Sequence, residues 1–125
     1  AKLSAMRIWL ALGALNGLVG VGMGAAGAHA LAGFEPASVE LVRTAALYQC
    51  LHALALVGVE ALSRERGTLR LGFAGLFFAL GCAAFSGGLY ARVFLELSVG
   101  PLVPAGGTCF LLGWGLLFAA AFGRR

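Results

Sequence analysis

Three polar side chains lie within about one helical turn of an otherwise apolar stretch: Tyr48, Gln49 and His52. At about 100° per residue, all three fall in one sector of a helix. An imidazole next to a hydroxyl or amide can act as a general base or can join a hydrogen-bonding network. Further along the chain, Ser86 and Tyr90 share a helical face in the same way. These two polar faces would form one site if the helices that carry them pack together.

The residues do not make up a complete set of catalytic groups. Ser86 could be a nucleophile with a histidine as its base, but it does not lie in a nucleophile elbow. The one carboxylate within an apolar segment is Glu60, near the end of that segment. We therefore predict no catalytic residues and a function other than that of an enzyme.

The two histidines, His29 and His52, also raise the possibility of a bis-histidine haem. Their predicted depths differ by about 12 Å at a helical rise of 1.5 Å per residue, which is unfavourable for two ligands of one iron. A zinc site needs three or four close ligands, and the cysteines lack CxxC spacing: Cys50, Cys82 and Cys109. We predict no cofactor-binding or metal-binding residues, and packing roles for the cysteines.

The composition indicates which solvent surrounds these residues. Hydrophobic residues make up 61% of the 125 residues and charged residues only 11%, whereas soluble domains carry about 25% charged residues. Four apolar segments are each about as long as a membrane span: roughly 8–32, 41–62, 71–94 and 105–122. The sequence predicts an all-α integral membrane protein, a four-transmembrane-helix bundle forming a single domain over residues 1–125. The first segment is longer than the apolar core of a cleaved signal peptide, so we expect it to be a span.

Basic residues indicate the orientation, because cytoplasmic loops carry an excess of lysine and arginine. One side of the membrane would hold seven of the nine basic residues: Lys2, Arg7, Arg64, Arg66, Arg70, Arg124 and Arg125. The other side would hold Arg43 and Arg92. We therefore predict that the N and C termini are cytoplasmic. The net charge of +4 then reflects topology, and no nucleic-acid partner is predicted.

Polar side chains would collect in the outer half of this bundle. Inside lipid, such groups usually face the protein interior. The candidate network or ligand pocket consists of Tyr48, Gln49, His52, Ser86 and Tyr90, with His29 and Thr108 as further candidates. One reading is structural, in which the groups bond neighbouring helices at about 0.6 kcal/mol each. The other reading is a small polar pocket that is open to the outside.

The first span carries a seam of small residues suited to close helix packing: Gly13, Asn16, Gly17, Gly20, Gly24 and Gly27. This seam could pack within the chain or against a second copy. The third span has a stripe of small residues that ends in Ser86 and Tyr90 and consists of Gly75, Ala79, Cys82 and Ala83. Phe77, Phe78 and Phe85 lie off this stripe, so we expect them to meet lipid or a partner. Trp9 and Trp114 are also expected to face outward.

Four sequence pieces carry a family resemblance: Gly24–Leu31 (GAAGAHAL), Thr44–Leu56 (TAALYQCLHALAL), Phe85–Tyr90 (FSGGLY) and Pro104–Trp114 (PAGGTCFLLGW). In this order they cover most of the chain, which resembles the small bacterial inner-membrane proteins known as domain of unknown function 423, with small eukaryotic transmembrane relatives. Ala26 stands where the family usually has Phe, and Gly88 where it often has Ser. The resemblance implies a four-span bundle in a bacterial inner membrane and implies no activity.

Two classes of function remain. The first is a structural or interaction subunit, or a lipid-binding bundle, whose partners are the lipid bilayer and other membrane protein subunits or a second copy of itself. The second is a binding or transport site for a small molecule, ion or quinone, built on Gln49 and His52 and formed by one copy or by an oligomer. An intramembrane enzyme or a haem protein fits the residues less well.

Overall fold

The computed structural model describes residues 7–123. Within them lie four helices that are long and apolar enough to cross a membrane: α1 (Ile8–His29), α2 (Pro36–Glu65), α3 (Leu69–Phe94) and α4 (Leu102–Ala120). The predicted all-α fold with four potential spans is confirmed. Lys2, Arg124 and Arg125 lie outside the described residues, and the cytoplasmic location of the termini stays a prediction.

Local signals explain where the helices begin and end. Helix α2 begins at Pro36, earlier than the predicted residue 41, because proline suits the first turn of a helix. Helix α3 ends as predicted at Phe94, where Glu96 adopts a positive φ of 53°. The Leu97 amide then bonds the Ala91 carbonyl at 3.3 Å, and this carbonyl also accepts from the Leu95 amide at 3.0 Å. Glu60 accepts a hydrogen bond from the Leu10 amide at 3.3 Å, in the first turn of α1.

The helices pack in chain order, with α1 against α2, α2 against α3, and α3 against α4. Helices α2 and α3 are central, because 39% of the apolar window of each is buried, against 11% for α1 and 17% for α4. The main core lies where α2, α3 and α4 meet. Its fully buried members include Leu56, Val59, Ala74 and Phe78.

Glycines allow the closest of these contacts. A Cβ on Gly13 would lie 2.9 Å from the carbonyl oxygen of Ala53, and one on Gly20 would lie 2.7 Å from Sγ of Cys50. The glycine seam of α1 therefore packs against α2 of the same chain. On α4, a Cβ on Gly106 would collide with the backbone of Phe85 in α3.

A π-helical segment, Cys82–Ser86, interrupts α3. It explains why the prediction for Phe78 was wrong: this side chain is fully buried. A π-bulge inserts one residue into an α-helix. Because of the inserted residue, Phe78 and Ser86 are separated by the rotation of seven α-helical residues instead of eight. The angle between them around the helix axis is therefore about 20° instead of about 80°. Phe85 also turns inward, against Tyr48 and Phe110, whereas Phe77 is partly exposed.

Candidate polar site

Gln49 joins three helices. Its amide is buried in the middle of α2, with 6% of the residue exposed. Nε2 of Gln49 donates to Oδ1 of Asn16 on α1 at 2.9 Å. Oε1 of Gln49 accepts from the hydroxyl of Tyr90 on α3 at 2.8 Å. Asn16 in turn donates to the Leu12 carbonyl of its own helix at 2.9 Å. The series of hydrogen bonds from Tyr90 through Gln49 and Asn16 therefore ends at a backbone carbonyl.

His52 joins α2 to α4. Its Nε2 lies 2.9 Å from Nε1 of Trp114, and its Nδ1 lies 2.7 Å from the carbonyl oxygen of Tyr48. An indole N–H can only donate, so Nε2 must accept and Nδ1 must carry the proton that it donates to Tyr48. Both nitrogens of a neutral imidazole are thereby used. The ring also stacks on Phe110, with centroids 3.6 Å apart and planes at 9°.

Ser86 is fully buried in the π-helical segment of α3. Its hydroxyl donates to the carbonyl oxygen of Ala45 on α2 at 2.7 Å. Among residues 7–123, no hydrogen bond joins this serine to either histidine. The arrangement thus serves contact between helices and does not pair a nucleophile with a base.

The other predicted members take different positions. Tyr48 contributes its carbonyl to His52 and packs its ring against Phe85, with centroids 4.9 Å apart, while the residue is 40% exposed. His29 is exposed at the last position of α1. Thr108 is exposed and donates to the Pro104 carbonyl of its own helix at 3.0 Å. The structure therefore brings Gln49, His52, Ser86 and Tyr90 to neighbouring helix interfaces, and leaves His29 and Thr108 apart from them.

Two members of the site were missed as hydrogen-bonding partners. Asn16 was predicted only as part of the packing seam, although an amide among glycines could have suggested a partner across the interface. Trp114 was predicted to face outward. The residue is indeed 47% exposed, but its indole N–H points inward to His52. A tryptophan side chain with one apolar and one polar edge can satisfy both environments.

The buried polar groups bond with one another and with the backbone. Within the described part of the chain, every buried side-chain nitrogen and oxygen has a hydrogen-bond partner. The same residues contain no cluster of three or more side chains suited to hold a metal ion. Two open cavities, of about 930 Å³ and about 800 Å³, lie at the two ends of the bundle, and neither is lined by Gln49 or His52.

Four apolar helices fastened by internal hydrogen bonds define a polytopic α-helical membrane protein. The chain belongs to the DUF423 (UPF0382) family, because the family described as "Protein of unknown function (DUF423)" matches residues 23–107 and relatives match over most of its length. UPF0382 membrane protein SAB0533 of Staphylococcus aureus is 36% identical over 119 residues, which cover 94% of this chain and 97% of the relative. UPF0382 membrane protein YwdK of Bacillus subtilis is 35% identical over 119 residues, 93% and 97% of the two chains.

A third relative bears on location. UPF0382 inner membrane protein YgdD of Escherichia coli is 36% identical over 118 residues, 92% of this chain and 89% of the relative. The predicted family is thus confirmed. The predicted inner-membrane location is confirmed by this relative together with the four potential spans. No solved structure matches the chain.

Proposed function

We propose that this protein is a non-catalytic interaction subunit of the inner membrane, a helical bundle that packs laterally against another membrane protein or a second copy of itself. The observation that carries the proposal is that the buried polar side chains form hydrogen bonds between helices. Four hydrogen bonds made by Gln49, His52 and Ser86 tie α2 to α1, α3 and α4. At about 0.6 kcal/mol each, they add about 2 kcal/mol to the packing of the bundle.

These bonds favour the structural reading of the network over a ligand pocket. The carboxamide of Gln49 meets a partner at both its oxygen and its nitrogen, and both nitrogens of His52 are also paired. The face of the imidazole is covered by Phe110. A ligand would have to displace partners that the chain itself supplies. Such displacement costs free energy, because buried polar groups that lose a partner are expensive.

Lateral packing is supported by the two outer helices. Most of the perimeter of α1 and of α4 is exposed. Side chains such as Leu18 and Leu111, exposed at 74% and 73%, must meet lipid or another apolar surface. In a membrane, association between helices depends on shape and packing. Gly22 on α1 and Gly115 on α4 lie one turn after these leucines with open space beside them, so another helix could approach closely there.

Site-specific photo-crosslinking in membranes tests the proposal. The crosslinker is placed at Leu18 on α1 and at Leu111 on α4, with Leu54 on the central helix α2 as the control because it is 71% exposed. We expect a discrete protein adduct from at least one of the first two positions and not from Leu54. Adducts with lipid alone at all three positions would refute the interaction subunit.

The alternative, a small-molecule or quinone site, is favoured by one observation. Tyr48 and Trp114 flank the stacked His52 and Phe110 rings and are 40% and 47% exposed, so molecules dissolved in the bilayer can reach this aromatic cluster. The double variant Gln49→Leu with His52→Leu separates the two functions. Failure to assemble in detergent supports the structural network. Normal folding with loss of a cellular phenotype supports the site.

A further inference from the structure

A cavity of about 930 Å³ opens at the end of the bundle where α2 and α4 end and α3 begins. Its walls combine two kinds of side chain. Part of the lining is apolar, with Leu62, Leu71 and Leu117, and part is charged, with Glu65, Arg66 and Arg70 at the helix ends that form the rim. A phospholipid molecule likewise combines apolar chains with a charged headgroup.

Arg70 is held in place at this rim. Its Nη1 donates to the Ala119 carbonyl near the end of α4 at 3.1 Å. This bond reaches from the first turn of α3 to α4 and fixes the guanidinium beside the cavity. A guanidinium has five N–H donors, and the bond to Ala119 uses one. Arginine is suited to phosphate because its planar fork can make two parallel hydrogen bonds to phosphate oxygens.

The charge at the rim favours an anion. The lining includes two arginines, Arg66 and Arg70, and one glutamate, Glu65. The distribution of basic residues predicts that this end is cytoplasmic. Basic pockets between transmembrane helices on that side recognise the headgroups of anionic lipids.

We propose that this cavity binds an anionic phospholipid, with Arg70 as the ligand of its phosphate and with acyl chains against Leu62, Leu71 and Leu117. The site is separate from the polar network. The lipid site does not depend on the proposed interaction function, since Leu18 and Leu111, the positions that represent the interaction surface, do not line the cavity.

Native mass spectrometry tests the site. The protein is reconstituted in nanodiscs of phosphatidylcholine and phosphatidylglycerol, and the lipid retained after release is counted. We expect wild type to retain phosphatidylglycerol preferentially. Arg70→Gln should reduce that preference about fivefold, as one basic residue near the surface contributes about 1 kcal/mol. The matched control is Arg92→Gln at the other cavity of the bundle, which should leave the preference unchanged.

Two further arms keep the result decisive. If Arg70→Gln fails to fold, Ala120→Phe fills part of the same cavity without removing a charge, and it should lower retention of phosphatidylglycerol. Inorganic phosphate added in excess should not displace the lipid. Equal loss in Arg70→Gln and Arg92→Gln, unchanged retention in a folded Arg70→Gln or Ala120→Phe variant, or full displacement by inorganic phosphate would overturn the lipid site.

Discussion

The chain offers a matched test of its polar network, because it has two tyrosines in different hydrogen-bonding situations. The hydroxyl of Tyr90 donates to Gln49 across the interface between α3 and α2. The hydroxyl of Tyr48, on a residue that is 40% exposed, donates to no other residue within 7–123. Tyr90→Phe and Tyr48→Phe therefore make the same chemical change, and only the first breaks a bond between helices.

The expected magnitude follows from the geometry. The bond of 2.8 Å has the usual length for a hydroxyl donor, and its acceptor, Gln49, is 6% exposed. Hydrogen bonds between transmembrane helices contribute about 0.6 kcal/mol on average and up to about 1.7 kcal/mol. We place Tyr90→Phe between these values, because Oε1 of Gln49 loses its partner from α3. For Tyr48→Phe we expect a change close to zero.

The assay is reversible unfolding by sodium dodecyl sulfate in mixed micelles, followed by circular dichroism. Gln49→Leu completes a double-mutant cycle with Tyr90→Phe, and the coupling between the two should be about 0.6 kcal/mol or more in the stabilising direction. The same cycle with Tyr48→Phe should give no coupling. Equal destabilisation by the two tyrosine variants, or zero coupling between Gln49 and Tyr90, would refute the hydrogen-bonded network.

Three further predictions use the same unfolding assay. Gly106→Ala should destabilise the protein by about 1–3 kcal/mol through overpacking, whereas Gly115→Ala on the same helix meets open space and should be neutral or slightly stabilising; similar effects of both would contradict the close packing of α4 on α3. Gly20→Ala should likewise destabilise the protein by weakening the contact of α1 with α2, and Gly22→Ala should not. Equal losses of stability in the two variants would show that Gly20 is not in close contact with α2. Trp114→Phe keeps an aromatic ring but removes the N–H bonded to the α2 imidazole, and should cost about 0.6 kcal/mol; an unchanged midpoint would show that this bond adds nothing to stability.

Much of the fold was predictable because hydrocarbon imposes strong constraints on sequence. A span must be apolar over about 20 residues, so the four helices could be read directly from the sequence. The polar face of α2 was predictable for the same reason, since Gln49 and His52 are costly anywhere except in the interior. Their partners were less accessible. A shared helical face does not fix the rotation and height of the neighbouring helix, so the bond from Gln49 to Asn16 required the packed structure.

One side chain shows where the periodicity argument fails. Phe78 was expected to face outward because the calculation assumed an uninterrupted α-helix. The π-helical segment rotates the rest of α3 by about 100°, or one residue, and no composition rule marks it in advance. Trp114 was expected to face outward and is 47% exposed, but the hydrogen bond from its N–H to His52 was not predicted. The error for Phe78 concerns rotation about the helix axis and leaves its position along the helix intact.

Glycine contacts and hydrogen bonds join different pairs of helices, and this difference has a consequence for biosynthesis. Most close glycine contacts fasten α1 to α2 and α4 to α3, with Gly75 of α3 against Trp9 of α1 as an exception. Tyr90, Ser86 and Trp114, by contrast, donate from the second pair of helices to the first. As the chain leaves the ribosome, each helical hairpin can close as soon as its second helix enters the bilayer. The hydroxyl and indole donors can engage only when the two hairpins meet. Assembly should therefore proceed in two stages. Each hairpin forms first, and the acceptors on α2 receive their hydrogen bonds only when α3 and α4 pack against it.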